Sequence, residues 1–326
     1  MMRYILRRLG FYLAALAVAI AINFFLPRLL PGDPATIMLG SSASKLSPGD
    51  LLRVRESLGL SDAPLPQQFI TYLGHLFQGD FGLSYTYFPT PVTKVISIGF
   101  IWTLLLGSVS LIFSFVLGNL IGIIGSWRRG GLIDSVFPPL LILIGSFPAF
   151  FLALGLLYTF GVKLDVLPIS HAYDTRLDQG FNLPFIKSVL QHMILPVGSA
   201  VLLGVGGWAL GMRNVMVSVL ADDYVTMAEA KGLTQIRIMF KYAARNALLP
   251  GVTGFGIALG SILSGQILIE TVFSYPGLGF LLIYAVNGRD YPLMQGLFMM
   301  ITMGILAANF LVDILYTRLD PRVRAG

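Results

Sequence analysis

Six long apolar runs, at residues 5–30, 99–126, 133–161, 190–212, 248–272 and 293–316, decide most of what this chain can become. Each is long enough to carry a helix across a hydrocarbon core, which takes ~20 residues. The runs are continuous rather than alternating in polarity, so they do not read as barrel strands. Helices remain as the form that satisfies every backbone donor and acceptor in lipid. Composition agrees, with 56% hydrophobic and 12% charged residues, where ordinary soluble chains carry about 25% charged. The expected fold class is an all-α membrane protein with six transmembrane helices.

The basic residues set an orientation. With both termini in the cytoplasm, Arg3, Arg7, Arg8, Arg128, Arg129, Arg213, Lys231, Arg237, Lys241, Arg245, Arg318, Arg322 and Arg324 lie inside, 13 of the 22 Lys and Arg residues. The others spread over about twice as many non-membrane residues, so the positive-inside rule favours this topology. The net charge of +6 is then a topological signal. It implies no nucleic-acid partner, because no basic face of any size lies away from the membrane flanks. Arg7-Arg8 with the first apolar run reads as a retained span, since no small-x-small cleavage site precedes the polar segment. The absence of cysteine excludes disulfides and thiolate chemistry.

This divides the chain into an N-terminus with the first span (1–30), an external segment (31–98), a five-span core (99–316) holding a cytoplasmic insert (213–247), and a cytoplasmic tail (317–326). In the external segment, Ser47-Pro-Gly-Asp50 opens one expected helix that Gly59 stops. Pro66 opens another, with Phe69, Tyr72, Leu73 and Leu76 as its apolar stripe. These helices fit either the outer mouth of a pore or the lipid interface. Residues 162–189 and 273–292 are expected as short external connections.

Small residues crowd the fifth run: Gly251, Gly254, Gly256, Gly260, Ser261, Ser264 and Gly265. Gly256-x3-Gly260, Gly118-x3-Gly122 and Gly207-x3-Gly211 each permit close helix approach. Helix packing accounts for any one pair. For the fifth span as a whole, Gly256, Gly260 and Ser264 are expected to line a translocation path.

The insert between the fourth and fifth runs is polar and patterned. Thr226 to Lys231 continue a helix from Tyr224, Gly232 falls where a helix stops with positive φ, and Thr234 is placed to cap a second helix. That second helix carries Ile236, Met239, Phe240 and Ala243 at helical spacing, with Arg237, Lys241 and Arg245 elsewhere. Two short helices joined at a glycine make a stiff bracket suited to docking onto another protein. A juxtamembrane helix solvated by Tyr224 and Glu229 is the plainer reading.

This insert resembles the cytoplasmic coupling motif of ABC importer permeases in the oligopeptide, dipeptide and nickel branch. The general motif reads Glu-Ala-Ala, three residues, Gly, nine residues, Ile-x-Leu-Pro. Here Thr226-Met-Ala228 precedes Gly232 by three residues, Tyr242-Ala-Ala-Arg245 stands where Ile-x-Leu-Pro would fall, and Leu248-Leu-Pro250 follows later. Leu30-Pro-Gly-Asp-Pro-Ala35, Leu58-Gly-Leu60 and Gly79-Asp-Phe-Gly-Leu-Ser84 are similar to the N-terminal half of peptide-type permeases. Glu270-Thr-Val-Phe-Ser-Tyr-Pro-Gly-Leu-Gly279, Arg289-Asp-Tyr-Pro292 and Asp320-Pro-Arg-Val-Arg324 are similar to the C-terminal half.

The resemblance implies a type I ABC importer permease fold in a bacterial or archaeal cytoplasmic membrane. It implies a second homologous permease, two nucleotide-binding ATPase subunits and an extracytoplasmic solute-binding protein as partners. It places ATPase docking on Asp223, Tyr224, Thr226, Ala228, Glu229, Ala230, Lys231, Gly232 and Leu233.

No Gly-x4-Gly-Lys-Ser/Thr loop is present, so ATP and Mg belong on the partner subunits and no cofactor is expected on this chain. His75, His171 and His192 are widely spaced and form no metal motif. No Gly-x-Ser-x-Gly nucleophile occurs. Glu270 and Asp313 are the acidic residues nearest or within the spans, where charge is costly and marks candidate sites. For Glu270, local capping or pairing stands beside substrate contact, and Asp313 is expected to pair with a neighbouring Arg.

The substrate class expected is oligopeptides or dipeptides, with oligosaccharides or nickel as alternatives. The aromatics Tyr85, Tyr87, Phe88 and Tyr173 suit sugar rings as well as interface anchoring. A secondary transporter would need a coupling-ion site and a membrane enzyme a catalytic constellation. Neither is visible.

Overall fold

The computed structural model describes residues 2–29, 63–262 and 266–319. The described residues form helices α1 (Met2–Arg28), α2 (Leu65–Phe77), α3 (Val92–Trp127), α4 (Leu132–Gly145), α5 (Ala149–Leu156) and α6 (Leu183–Val219). They continue with α7 (Asp223–Ala230), α8 (Gln235–Arg237), α9 (Arg245–Ser261), α10 (Ile267–Val272), α11 (Leu278–Asn287) and α12 (Tyr291–Leu319). π-Helical stretches prolong α5 (Leu157–Lys163) and join α8 to α9 (Ile238–Ala244). Among the described residues there is no strand, only an isolated bridge between Leu83 and Pro91.

Among the described residues, four helices are long and apolar enough to cross a membrane: α1, α3, α6 and α12. A fifth crossing is available if α4 and the α5 rod count as one, but these meet at 103°. The bend falls at Ser146-Phe-Pro148. Pro148 has no backbone N–H and steers Phe147 away from helical geometry. Ser146 Oγ donates to the Ile142 carbonyl at 2.8 Å, occupying an acceptor at the broken end. The fifth apolar run is also interrupted, as α9 ends at Ser261 and α10 begins at Ile267. Ser264 and Gly265 lie outside the described residues.

The chain forms two compact units, the first comprising Met1–Thr103, Leu263–Ile267 and Pro276–Gly326. Its core sets Val92, Val95 and Ile96 of α3 against Leu278, Leu281, Leu282 and Ala285 of α11 and Leu293, Met294 and Leu297 of α12. Residues 273–292 are therefore more than a connection: positions 278, 281, 282 and 285 repeat at helical spacing and bury one face of α11. The Leu278 N–H, free at that helix's start, donates to Thr103 Oγ1 at 2.8 Å.

Asp290 is fully buried ahead of α12. It accepts from Ser84 Oγ, from the Thr86 N–H at 2.9 Å and from the Leu293 N–H at 3.0 Å. A carboxylate at a helix N-terminus is favoured by the cap and the dipole. α2 lays Phe69 and Tyr72 on Phe24 of α1, with ring centroids 5.0 and 5.6 Å apart. Arg28 lies 3.7 Å over the Phe24 ring and donates to Gln68 Oε1 at 3.1 Å. The helix expected near 47–59 lies outside the described residues.

The second unit comprises Leu104–Ile262 and Leu268–Tyr275. Here α3 and α6 touch backbone to backbone. A Cβ on Gly118 would stand 2.7 Å from the Val205 carbonyl oxygen, and one on Gly122 2.6 Å from that of Ala209. In lipid, where apolar burial drives helix association weakly, such small-residue contact lets packing forces act. Gly207 and Gly211 do not behave as the spacing suggests: nothing stands within 4 Å of either, because α6 turns them outward. Their neighbour Gly206 meets the Leu141 backbone instead, at 2.9 Å. Arg213 pairs with Asp134 at the head of α4, with Nη2 3.0 Å from Oδ2.

Gly122→Val should lower the thermal unfolding midpoint in detergent, the overpacking costing about 1–3 kcal/mol. Gly207→Ala should leave it unchanged or raise it, the gain in helix propensity being worth up to about 1 kcal/mol. Equal effects at the two positions would contradict the assignment of α3 to the contact.

Candidate functional site

The insert folds into a closed bracket. After α6, Asp222 takes an extended conformation and its carbonyl accepts from the Val225 N–H at 3.0 Å, starting α7. Asp223 sits in the first turn, where a negative charge suits the helix dipole. Gly232 ends the helix with φ of +72°. Its N–H donates to the Glu229 carbonyl at 2.8 Å, and the Leu233 N–H reaches back to Ala228 at 3.3 Å. These two bonds make the Schellman closure of a helix C-terminus, which needs a left-handed residue at this position. No heavy atom lies within 4 Å of where a Gly232 Cβ would stand, so the constraint is the backbone angle alone. Leu233 then packs in one cluster with Val225, Ala228 and Ile238, the apolar contact that accompanies this cap.

Burial sorts the docking candidates. Asp223, Tyr224, Thr226, Glu229, Ala230, Lys231 and Gly232 are exposed, and Leu233 is half-buried. Ala228 is only 2% exposed and faces inward, so it anchors α7 rather than offering a contact surface. Met227, which composition did not single out, is 58% exposed on the outer side.

The second arm differs from its sequence reading. Thr234 occupies the capping position of α8, but its side chain makes no capping bond and only its carbonyl accepts, from the Ile238 N–H at 3.0 Å. Ile236 and Phe240 are exposed, whereas Ile238, Ala243, Ala244 and Ala247 are buried. The cause is the π-helical stretch Ile238–Ala244. Its wider turn brings residues five apart onto one face, so Ile238 and Ala243 align. A periodicity of 3.6 finds Ala243, which is buried, and Met239, which packs against its cluster, but it adds the exposed Ile236 and Phe240 and misses Ile238.

Beyond this joint, Gly256 lies on the side of α9 that also carries Leu249 and Val252, 67% and 58% exposed. A Cβ on Gly256 would meet nothing within 4 Å. Gly260 is half-buried, Ile257 is 40% exposed, and Ser264 lies outside the described residues.

The two acidic candidates lie in different surroundings. Asp313 accepts from Tyr12 at 2.7 Å and pairs with Arg8 at 3.3 Å, tying α12 to α1. Glu270 is fully buried, and its carbonyl accepts from the Tyr275 N–H at 2.8 Å across a turn where Ser274 has φ of 46°. Asp290, quoted in the sequence reading only within Arg289-Asp-Tyr-Pro292, was not singled out as a candidate because it lies outside the apolar runs.

Two family models cover nearly the whole chain. That of the "Binding-protein-dependent transport system inner membrane component" matches residues 118–325, and that of its N-terminal region matches residues 1–96. The di/tripeptide transport system permease protein of Pseudomonas aeruginosa is 36% identical over 99% of both chains. The dipeptide transport system permease protein of Escherichia coli is 35% identical, again over 99% of each. The glutathione transport system permease protein of Salmonella choleraesuis is 36% identical over 99% of each. With apolar helices of spanning length and matches end to end, the chain belongs to the family of binding-protein-dependent transport system inner membrane components, the permeases of ABC importers.

Proposed function

We propose that this chain is the transmembrane permease subunit of an ATP-driven, binding-protein-dependent importer of dipeptides and short oligopeptides, forming half of the translocation path. The observation that carries the reading is the exposed bracket at 223–233, held rigid by its Schellman closure, in a chain similar along its length to permeases named for peptides. Oligosaccharide and nickel transport find no support among the relatives compared.

In this reading a second, homologous permease completes the path, and two ATPase subunits hold ATP and Mg. A solute-binding protein delivers peptide from outside. Six spans with both termini in the cytoplasm supply the topology, the bent α4–α5 rod being the third span and α9 with α10 the fifth. Asp223, Tyr224, Thr226, Glu229, Ala230, Lys231 and Gly232 meet the ATPase, and Ala228 and Leu233 brace them from behind. Closure of the ATPase pair on ATP moves the bracket as a rigid body and switches the spans between inward-open and outward-open packings. Gly256, Gly260 and Ser264 line the path.

The purified chain alone should hydrolyse no ATP, and turnover should appear only on assembly with nucleotide-binding subunits. Phosphate release by the isolated polypeptide would overturn the assignment.

Gly232→Val should strain the left-handed position by roughly 1 kcal/mol or more. Assembly with the ATPase, or stimulation of ATPase activity by loaded binding protein, should fall while membrane insertion persists. Gly232→Asn, which tolerates that conformation, should retain most of the activity. Transport in Gly232→Val at the parent rate counts against the bracket.

Because the chain has no native cysteine, single cysteines report on the path without background. Water-soluble thiol reagents should label Gly256→Cys in a nucleotide-dependent way and spare Ile257→Cys. The reverse pattern in every nucleotide state places the path elsewhere.

A further inference from the structure

One basic pocket adjoins the docking surface and shares Tyr224 with it. A cavity of about 590 Å³ opens between the bracket and the start of α9, lined by Arg237, Lys241, Arg245, Tyr224, Tyr242 and Leu249, with Asn246 at its edge. That volume lies in the range of small-molecule sites. Among the described residues no carboxylate lines it, and neither an ion pair nor a side-chain hydrogen bond engages any of the three cations. Each of them is exposed. Three other basic groups do have carboxylate partners: Arg213 pairs with Asp134, Arg176 with Asp174 and Arg8 with Asp313. Three uncompensated cations around one cavity hold a standing positive potential that attracts an anion.

The pocket's place on the helix says which anion. Arg245, Leu249, Val252 and Gly256 follow at spacings of four, three and four, so they share one face of α9. The pocket therefore lies at the cytoplasmic end of the face assigned above to the translocation path.

We infer that Arg237, Lys241 and Arg245 form an exit site for the C-terminal carboxylate of the transported peptide. The inference rests on the peptide-permease reading and deepens it. A carboxylate arriving along this face meets opposite charges here, beside the Tyr224 and Tyr242 hydroxyls as hydrogen-bond donors. The cations stay in contact with water, so the carboxylate is held weakly and leaves. Transport needs that balance: attraction enough to draw the group out, not enough to retain it. The same potential opposes a free divalent cation, which sets this exit against the nickel alternative.

The test uses the Leu249→Cys chain assembled with its ATPase subunits in nanodiscs, without the binding protein. Anionic sulfonatoethyl and cationic trimethylammonioethyl methanethiosulfonates are compared there and on a free thiol in solution. The anionic reagent should be favoured in the pocket by about tenfold or more over its solution preference. The combined R237Q, K241Q and R245Q changes should remove that excess, and K241Q alone should reduce it should the triple variant not assemble.

Millimolar triglycine should slow the reaction, and triglycinamide, which lacks the carboxylate, should not. Absence of a charge preference overturns the proposal, as does equal protection by the two tripeptides. An effect reproduced only by adding phosphatidylglycerol to the nanodisc makes the pocket a lipid headgroup site and overturns it. Complete loss of reactivity on ATPase assembly makes it an ATPase contact and overturns it too. Gly256→Cys, labelled in parallel, separates the two readings. Silence there in every nucleotide state sinks the path assignment, and triglycine protection at Leu249→Cys stands or falls independently.

Discussion

A backbone that enters lipid cannot leave its N–H and C=O groups unpaired, and at three interruptions among the described residues side chains join in meeting that demand. At the α4–α5 bend Ser146 Oγ takes up the Ile142 carbonyl. At the start of α11 Thr103 receives the Leu278 N–H. Ahead of α12 a single carboxylate, Asp290, collects the Ser84 hydroxyl and two backbone N–H groups. Through that carboxylate the segment containing Gly79–Ser84 is fastened to the turn before α12, two stretches more than 200 residues apart in sequence.

What the sequence discloses follows the same physics. α1, α3, α6 and α12 are legible because hydropathy alone identifies them, though α3 and α6 begin earlier than their apolar runs. Lys94 and Lys187 end the hydropathy signal while the helices continue past them. The break in the third run was announced by Pro148 but read through, because both flanks are equally apolar. α11 was overlooked since ten residues are too few to register as a span, although Leu278, Leu281, Leu282 and Ala285 display its buried face.

The bracket divides along similar lines. Gly232 was legible because turn chemistry is local: only a residue content with positive φ fits a Schellman position. The inward face of the second arm was not, because a π-helical turn leaves no mark in composition and changes the phase of everything counted across it. Which of two adjacent glycine pairs makes a helix contact was equally hidden. Gly118 and Gly122 meet α6, while Gly207 and Gly211 face away, and only the docking of one helix on another decides between them.

The π-helical stretch also bears on how this segment can change over time. A π turn holds one residue more than an α turn, and removing one residue between Ile238 and Ala244 restores α geometry. A deletion within the regular α-helical turns of α9 has no such surplus to absorb it, and at about 100° per residue it would turn the bracket about the axis of α9 by more than a quarter of a circle. Substitutions on the exposed side disturb a contact at a time, whereas a change in residue count re-aims the whole arm.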